Sequence, residues 1–251
     1  MADTILAIDT SADFLSVGLA LQKQGSPCTF CVELDAGTSH AELLIGAVQA
    51  VTDLAGIEPV GIDSFVCMEG PGSFTGLRIG FAAVKALALA FDRPYFAIPT
   101  LDCAALPFDC ADVPVLAVLD AKQKRFYAAI YYQRKRLTDY LDATPQILLE
   151  TLRALEAPPS MVIISGNGAD LAFKALNDLQ TAENGENQSI KLVLDPQFRR
   201  GRSALMLKYI QLHDTLAVRN MFSAVPAANP QDGPLYIRRS DAEQNFDKGA
   251  R

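Results

Sequence analysis

Glu69-Gly70-Pro71-Gly72-Ser73-Phe74-Thr75-Gly76-Leu77-Arg78-Ile79-Gly80 is the most informative stretch of this 251-residue chain. It follows Ser64 to Met68, an apolar run that reads as a buried strand. It feeds an apolar segment that reads as a helix to about Phe91, with Pro94 closing it. Glycines between a strand and a helix permit positive φ and close backbone approach. Free N–H groups at the helix start suit an anion. The stretch is not a Walker A loop, because Leu77-Arg78 follows Gly76 where Lys-Ser/Thr is needed. It is not a nucleophile elbow either, since Ser73 lacks glycine two residues before and after. A tight structural turn on Gly70, Pro71, Gly72, Ser73 and Thr75 is therefore favoured over a phosphate cradle.

The helix beyond the turn has a face of small residues: Gly76, Gly80, Ala83 and Ala86/Leu87. A mid-helix glycine costs about 1 kcal/mol relative to alanine, so close helix packing should compensate. Packing within the domain and a subunit interface explain that face equally well. Upstream, Ser39-His40-Ala41-Glu42 matches a capping box. The helix it opens carries Leu43, Leu44, Ala47, Val48 and Val51 at helical spacing and ends at Gly56. Before it, Ile5–Ile8, Phe14–Leu21 and Thr29–Leu34 read as an antiparallel meander, with a polar turn at Asp9-Thr10-Ser11.

Downstream, Val115–Leu119 and Phe126–Tyr132 read as strands and Pro145–Leu155 as a helix. Met161–Ser165 reads as a strand leading through Gly166-Asn167-Gly168 into a helix from Ala169 to about Leu179. Thr181–Ser189 reads as a loose loop and Ser203–Val218 as a last long helix. Strand, acidic turn, strand occurs twice, at Asp9 and at Asp120, which suggests two similar α/β lobes. The expected organisation is an N-terminal lobe over 1–110, a C-terminal lobe over 111–222, and an extended or partly disordered tail over 223–251.

Composition narrows the function. Twenty-two Lys and Arg stand against 29 Asp and Glu, for a net charge of −7. Gripping nucleic acid alone needs clustered cations, so that class is disfavoured. Arg199, Arg200 and Arg202 form the one compact basic cluster, read as a solvated loop. The N-terminus lacks a basic n-region, and Lys85 interrupts the longest apolar stretch, Phe81–Phe91. Neither a signal peptide nor a membrane span is expected. Five cysteines fit reduced thiols in a cytoplasmic protein. Cys28 and Cys31 fall three apart on a strand, on opposite faces, which is wrong for a shared metal. With only His40 and His213, no helical His pair and no metal site is expected.

Ile5-Leu6-Ala7-Ile8-Asp9-Thr10-Ser11, Ser39-His40-Ala41-Glu42-Leu43-Leu44 and Gly70-Pro71-Gly72-Ser73-Phe74-Thr75-Gly76-Leu77-Arg78-Ile79-Gly80 together resemble the TsaB (YeaZ) family. Leu119-Asp120-Ala121-Lys122 and Pro234-Leu235-Tyr236-Ile237-Arg238 agree. The resemblance implies an actin-like ATPase (ribonuclease H-like) fold of two duplicated lobes, each a mixed sheet flanked by helices. It implies a non-catalytic subunit for threonylcarbamoyl transfer to the adenosine beside the anticodon of ANN-decoding tRNAs. The partners it implies are TsaD, as a heterodimer, the ATPase TsaE, and a second copy of the chain when TsaD is absent. Contact with tRNA would be indirect, through the complex. The resemblance places the interface on the first two helices, here Ser39, His40, Leu43, Leu44, Ala47, Gly76, Gly80, Ala83 and Leu87.

TsaD carries an H-x-x-x-H metal motif in a region that here reads Pro99-Thr100-Leu101-Asp102-Cys103-Ala104-Ala105, without histidine. Actin-like phosphate loops use Asp-x-Gly, and neither Asp9-Thr10-Ser11 nor Asp120-Ala121-Lys122 has that glycine. No cofactor is required on this reading. Weak ATP or ADP binding at Asp9, Thr10, Ser11, Asp120, Gly166, Asn167 and Gly168 stays open. The alternative function is a small-molecule kinase or ATPase of the same fold, with Asp9 and Asp120 as its acidic residues. A peptidase lacks a metal pair and a Ser-His-Asp set, and His40 reads as a structural or contact residue.

Overall fold

An apolar run such as Leu6-Ala7-Ile8 is what a strand needs when both faces of its sheet are covered. The computed structural model describes residues 4–182, 189–197, 200–213, 233–235 and 237, and in it this run is the middle strand of a five-stranded sheet. β1 (Ile5–Asp9), β2 (Phe14–Lys23) and β3 (Ser26–Asp35) form the expected meander, with β2 and β3 each longer than the sequence suggests. Helix α1 (His40–Ala55) leads to β4 (Ser64–Gly70), parallel to β1. Helix α2 (Phe74–Phe91) leads to β5 (Tyr95–Pro99), parallel to β4, and a short α3 (Thr100–Ala105) follows. The strand order is β3-β2-β1-β4-β5.

Alternation along β1 sends Leu6 and Ile8 to one face and Ala7 to the other. Leu6 and Ile8 join Phe65, with Leu44 and Val51 of α1 and Phe81 and Val84 of α2. Ala7 joins Val66, Met68, Ile98 and Cys103. Each large side chain buried this way contributes roughly 1.5–3 kcal/mol.

The second half repeats the pattern. β6 (Val115–Asp120) and β7 (Phe126–Tyr132) form a hairpin, and the short β8 (Lys135–Arg136) and β9 (Leu141–Ala143) both pair with β7. Helix α4 (Pro145–Arg153) precedes β10 (Met161–Ser165), and α5 (Ala169–Ala182) precedes β11 (Lys191–Leu194). The order β8-β7-β6-β10-β11 matches that of the first sheet, with β10 parallel to β6 and β11 parallel to β10. Leu116 and Val118 of β6 pack with Ile130, Leu149, Val162 and Leu176. Two lobes, each a mixed sheet flanked by helices and with the same strand order, are thus present.

Among the described residues the chain separates into two compact units, 4–107 with 200–213 and 233–234, and 108–182 with 189–197, 235 and 237. Helix α6 (Ser203–His213) therefore belongs to the first unit and not to the C-terminal lobe expected over 111–222. The cause is apolar. Met206 and Leu207 complete the cluster that holds Ala7, Val66 and Met68. The tail expected from residue 223 and most of the loop expected over 181–189 lie outside the described residues.

Two helix starts differ from expectation. Ser39 sits at φ −90°, ψ 23°, its hydroxyl makes no cap bond, and its carbonyl accepts from the Glu42 and Leu43 N–H groups, so no capping box forms. Ser73, read only as a turn residue, caps α2 by accepting from the Gly76 N–H at 3.2 Å. By length and composition α2 could cross a membrane, contrary to the expectation from Phe81–Phe91. Its Leu77, Phe81, Val84 and Ala88 are spent on the first unit's core.

Candidate functional site

Two turns meet at the ends of β1 and β4. Asp9 is 1% exposed. Its Oδ1 accepts from the Ser11 N–H (2.9 Å) and the Ser11 hydroxyl (2.7 Å), and its Oδ2 accepts from the Arg202 N–H (3.0 Å). The Thr10 hydroxyl donates to Gly76 O (2.7 Å), and the Ser73 N–H donates to Ser11 O (2.8 Å). A Cβ on Gly76 would collide with Thr10 O. One on Gly80 would fall 2.6 Å from Thr10 Oγ1, and one on Gly72 2.8 Å from Ser11 O. The glycines are there because one turn lies against the other, backbone to backbone. Gly70, with φ +119°, and Pro71, after a cis bond, shape the approach, while Ser73 and Thr75 face solvent. Groups that could wrap a phosphate are turned on each other, which favours the structural reading of this turn.

The equivalent turns of the second unit answer the question posed by Gly166-Asn167-Gly168. Gly166 has φ +110°, and a Cβ there would strike Val118 O. A Cβ on Gly168 would come 2.6 Å from the Asp120 N. The pattern read as a nucleotide-binding turn is explained by packing on the end of β6. Asp120 accepts from the Lys122 N–H and from Lys122 Nζ, both at 2.8 Å. Asp170 in the first turn of α5 sets a negative charge where a phosphate would dock. Sequence reasoning missed Ser165, whose hydroxyl donates to Asp195 Oδ2 at 2.7 Å, both residues being buried. β11 and its Asp195 lacked any alternation that could have marked them.

Beside Asp9, the start of α6 is held by three side chains. Glu33 accepts from the Gly201 N–H (2.5 Å), Asp9 from the Arg202 N–H, and Ser16 from the Ser203 N–H (3.4 Å). Arg202, expected in a solvated loop, is 3% exposed. Arg200 is exposed, and Arg199 lies outside the described residues. Burial pushes the Cys103 thiol far up, partly offset by Arg202. Burial also raises the half-buried Glu69 carboxyl, with the Asp102 carboxylate adding to it.

The residues expected at a helix interface divide sharply. His40, Leu44, Ala47, Gly76 and Gly80 are buried within the first unit, so they are not on its surface. The two glycines face Thr10, which favours packing within the domain for that part of the small-residue face. Ser39, Ala83 and Leu87 are half-buried, and Leu43 is 37% exposed. The exposed apolar positions are others. Ile45 (64%) and Leu54 (61%) stand on α1, and Leu89 (85%) stands on α2 beside exposed Ala82, Ala86 and Ala90. Gly46, exposed within α1, has nothing within 4 Å of a notional Cβ. No internal contact compensates its helix cost of about 1 kcal/mol. Among the described residues no three of His, Cys, Asp and Glu converge as metal ligands. Of the motif at 234–238, only 234, 235 and 237 are described, and the side chain of His213 lies outside the described residues.

Comparison with known proteins agrees with this architecture. The family model described as TsaD, tRNA N6-adenosine threonylcarbamoyltransferase, matches residues 34–180. The tRNA threonylcarbamoyladenosine biosynthesis protein TsaB of Bacillus subtilis is 26% identical over 177 residues, covering 70% of this chain and 76% of that protein. TsaB of Escherichia coli is 33% identical over 129 residues, covering 51% of this chain and 54% of that protein. The solved structure of YeaZ from Pseudomonas aeruginosa superposes with a TM-score of 0.68 at 22% identity, covering 94% of this chain and all of that one. With its repeated strand order and its glycine turn in place, the chain belongs to the family described by that model and is similar to the TsaB (YeaZ) proteins.

Proposed function

We propose that this chain is a non-catalytic assembly and activating subunit for threonylcarbamoyl transfer to the adenosine beside the anticodon of ANN-decoding tRNAs. It acts by pairing with TsaD and helping to recruit TsaE, and it pairs with a second copy of itself when TsaD is absent. The observation that carries the reading is the exposure of large apolar side chains on both helices, Ile45 and Leu54 on α1 and Leu89 on α2, with an exposed glycine, Gly46, next to Ile45. Exposed large apolar side chains beside a glycine with no neighbour suit a partner helix crossing closely at that point. The relatives named for tRNA threonylcarbamoyladenosine biosynthesis support the pathway.

The engaged state of Asp9 supports a scaffold over a kinase. Asp9 already accepts three hydrogen bonds, which fills most of the lone-pair sites a metal would need. Nucleotide is not required on this reading, and robust ATP turnover by the purified chain would favour the kinase alternative instead.

The test is reconstitution of threonylcarbamoyladenosine on unmodified tRNA with TsaC, TsaD and TsaE, with and without this chain, each mixture sized by light scattering. Modification should require the chain and coincide with a one-to-one complex with TsaD. The double variant Ile45→Asp/Leu89→Asp touches only exposed positions, so it should fold normally yet weaken that complex by roughly tenfold or more. Modification independent of the chain, with no complex formed, sinks the reading.

A further inference from the structure

Left-handed φ costs a residue other than glycine about 1 kcal/mol or more. Most such residues here have a local reason. Gln24 precedes Gly25 in the β2–β3 turn, and Asp92 ends α2, where that conformation is customary. Gln133 and Arg134 turn the chain from β7 to β8, and both side chains are used internally. Gln133 Nε2 donates to Tyr132 Oη (3.3 Å), and Arg134 Nε donates to Asp109 Oδ2 (3.0 Å).

The β6–β7 turn is different. Lys122, Gln123 and Lys124 hold φ of 62°, 54° and 59° in succession, and all three are exposed. Lys122 is tied to Asp120, and Arg125 at the base of the turn is tied to Asp142 at 2.7 Å. Gln123 and Lys124 have no partner among the described residues. Glycine at either position would form the turn at lower cost. Neither side chain is used within the described residues, which points outward. Their chemistry is an ammonium and a carboxamide beside a second ammonium. With Asp120 and Asp142 already neutralised, the tip of the turn carries the uncompensated positive charge of Lys124. Such donors match non-bridging phosphate oxygens and carry no base specificity.

We infer that the 122–124 turn contacts the phosphodiester backbone of RNA directly, an inference that rests on the proposed role in tRNA modification. The complex with TsaD and the chain alone are titrated with unmodified tRNA over a range of salt. Lys124→Glu should weaken binding by roughly threefold or more at low salt and flatten the slope of log K against log salt by about one. Lys124→Arg should preserve both. Lys124→Gly should raise the melting temperature while losing the same affinity, which a merely structural turn would not show.

Affinity and slope unchanged in Lys124→Glu overturn the contact. Weakened assembly with TsaD at unchanged RNA affinity also overturns it, by assigning the turn to an acidic protein surface. If modification requires the chain while Lys124→Glu binds RNA like the parent, the contact falls and the proposed function stands. If modification ignores the chain, and the complex binds RNA no better than TsaD alone, both fall.

Discussion

The two units thread five strands in the same order but treat the carboxylate ending the first strand in opposite ways. Asp9 is sealed in and hydrogen-bonded by Ser11 and by the backbone before α6. Asp120 stays partly exposed, and its partner Lys122 sits on a solvent-facing turn. In both units a glycine-rich turn presses on that strand end: Gly72 and Gly76 on Thr10 and Ser11, Gly166 and Gly168 on β6. The shared feature is therefore the packing of turn on strand end. A buried carboxylate must have its acceptors filled, whereas an exposed one can rely on water and a single flexible lysine. The first unit has turned its strand end into a joint, and the second has left its own at the surface.

Three substitutions test this contrast. The largest effect is expected from Gly76→Ala, which forces a Cβ into the Thr10 carbonyl and should cost about 4 kcal/mol or more in chemical denaturation. A cost near that of an ordinary exposed-helix substitution would refute the backbone-to-backbone joint. Next, Asp9→Asn should cost about 3 kcal/mol, since a buried acceptor bonded three times loses its charge and half of its accepting capacity. Asp120→Asn should cost under about 1 kcal/mol, because its lysine is largely in water. Equal costs at the two positions would erase the distinction between the units.

The smallest effect concerns Glu69, at the end of β4. Burial, helped by the Asp102 carboxylate, raises its folded pKa. Its contribution to stability is full below the ordinary carboxylate pKa of about 4.3 and is lost as pH rises through the folded value. Glu69→Gln should therefore melt higher than the parent at neutral pH, and the gain should vanish in acid. Melting curves from pH 4 to 8 check this. A gain that persists at pH 4 would assign it to something other than the charge.

The fold was largely legible because its strongest signals are local. The meander from Ile5, the glycine turn at Gly70 and the repeat of Asp9 at Asp120 each follow from alternation and turn chemistry within a short window. β5, α3 and β11 were not visible, being short and lacking a clear period. Five of the nine residues expected at the interface are buried within the first unit, because small and apolar residues on a helix do not declare which way they face. Gly76 and Gly46 look alike in the sequence, yet one presses on Thr10 and the other meets nothing. The burial of Arg202 is invisible in the sequence because its causes, Asp9 and the sheet face formed by Ala7, Val66 and Met68, lie far back in the chain.

That separation has a consequence for synthesis. Every described strand of the second unit lies between residues 115 and 194, so its sheet can form once this segment has emerged. The sheet of the first unit begins earlier but is covered later, because the face formed by Ala7, Val66 and Met68 waits for Met206 and Leu207. At ribosomal speed the interval between the emergence of α3 and that of α6 is on the order of ten seconds. During it the nascent chain presents an uncovered apolar sheet face to whatever chaperone is near. The sheet that is translated first is the sheet that is covered last.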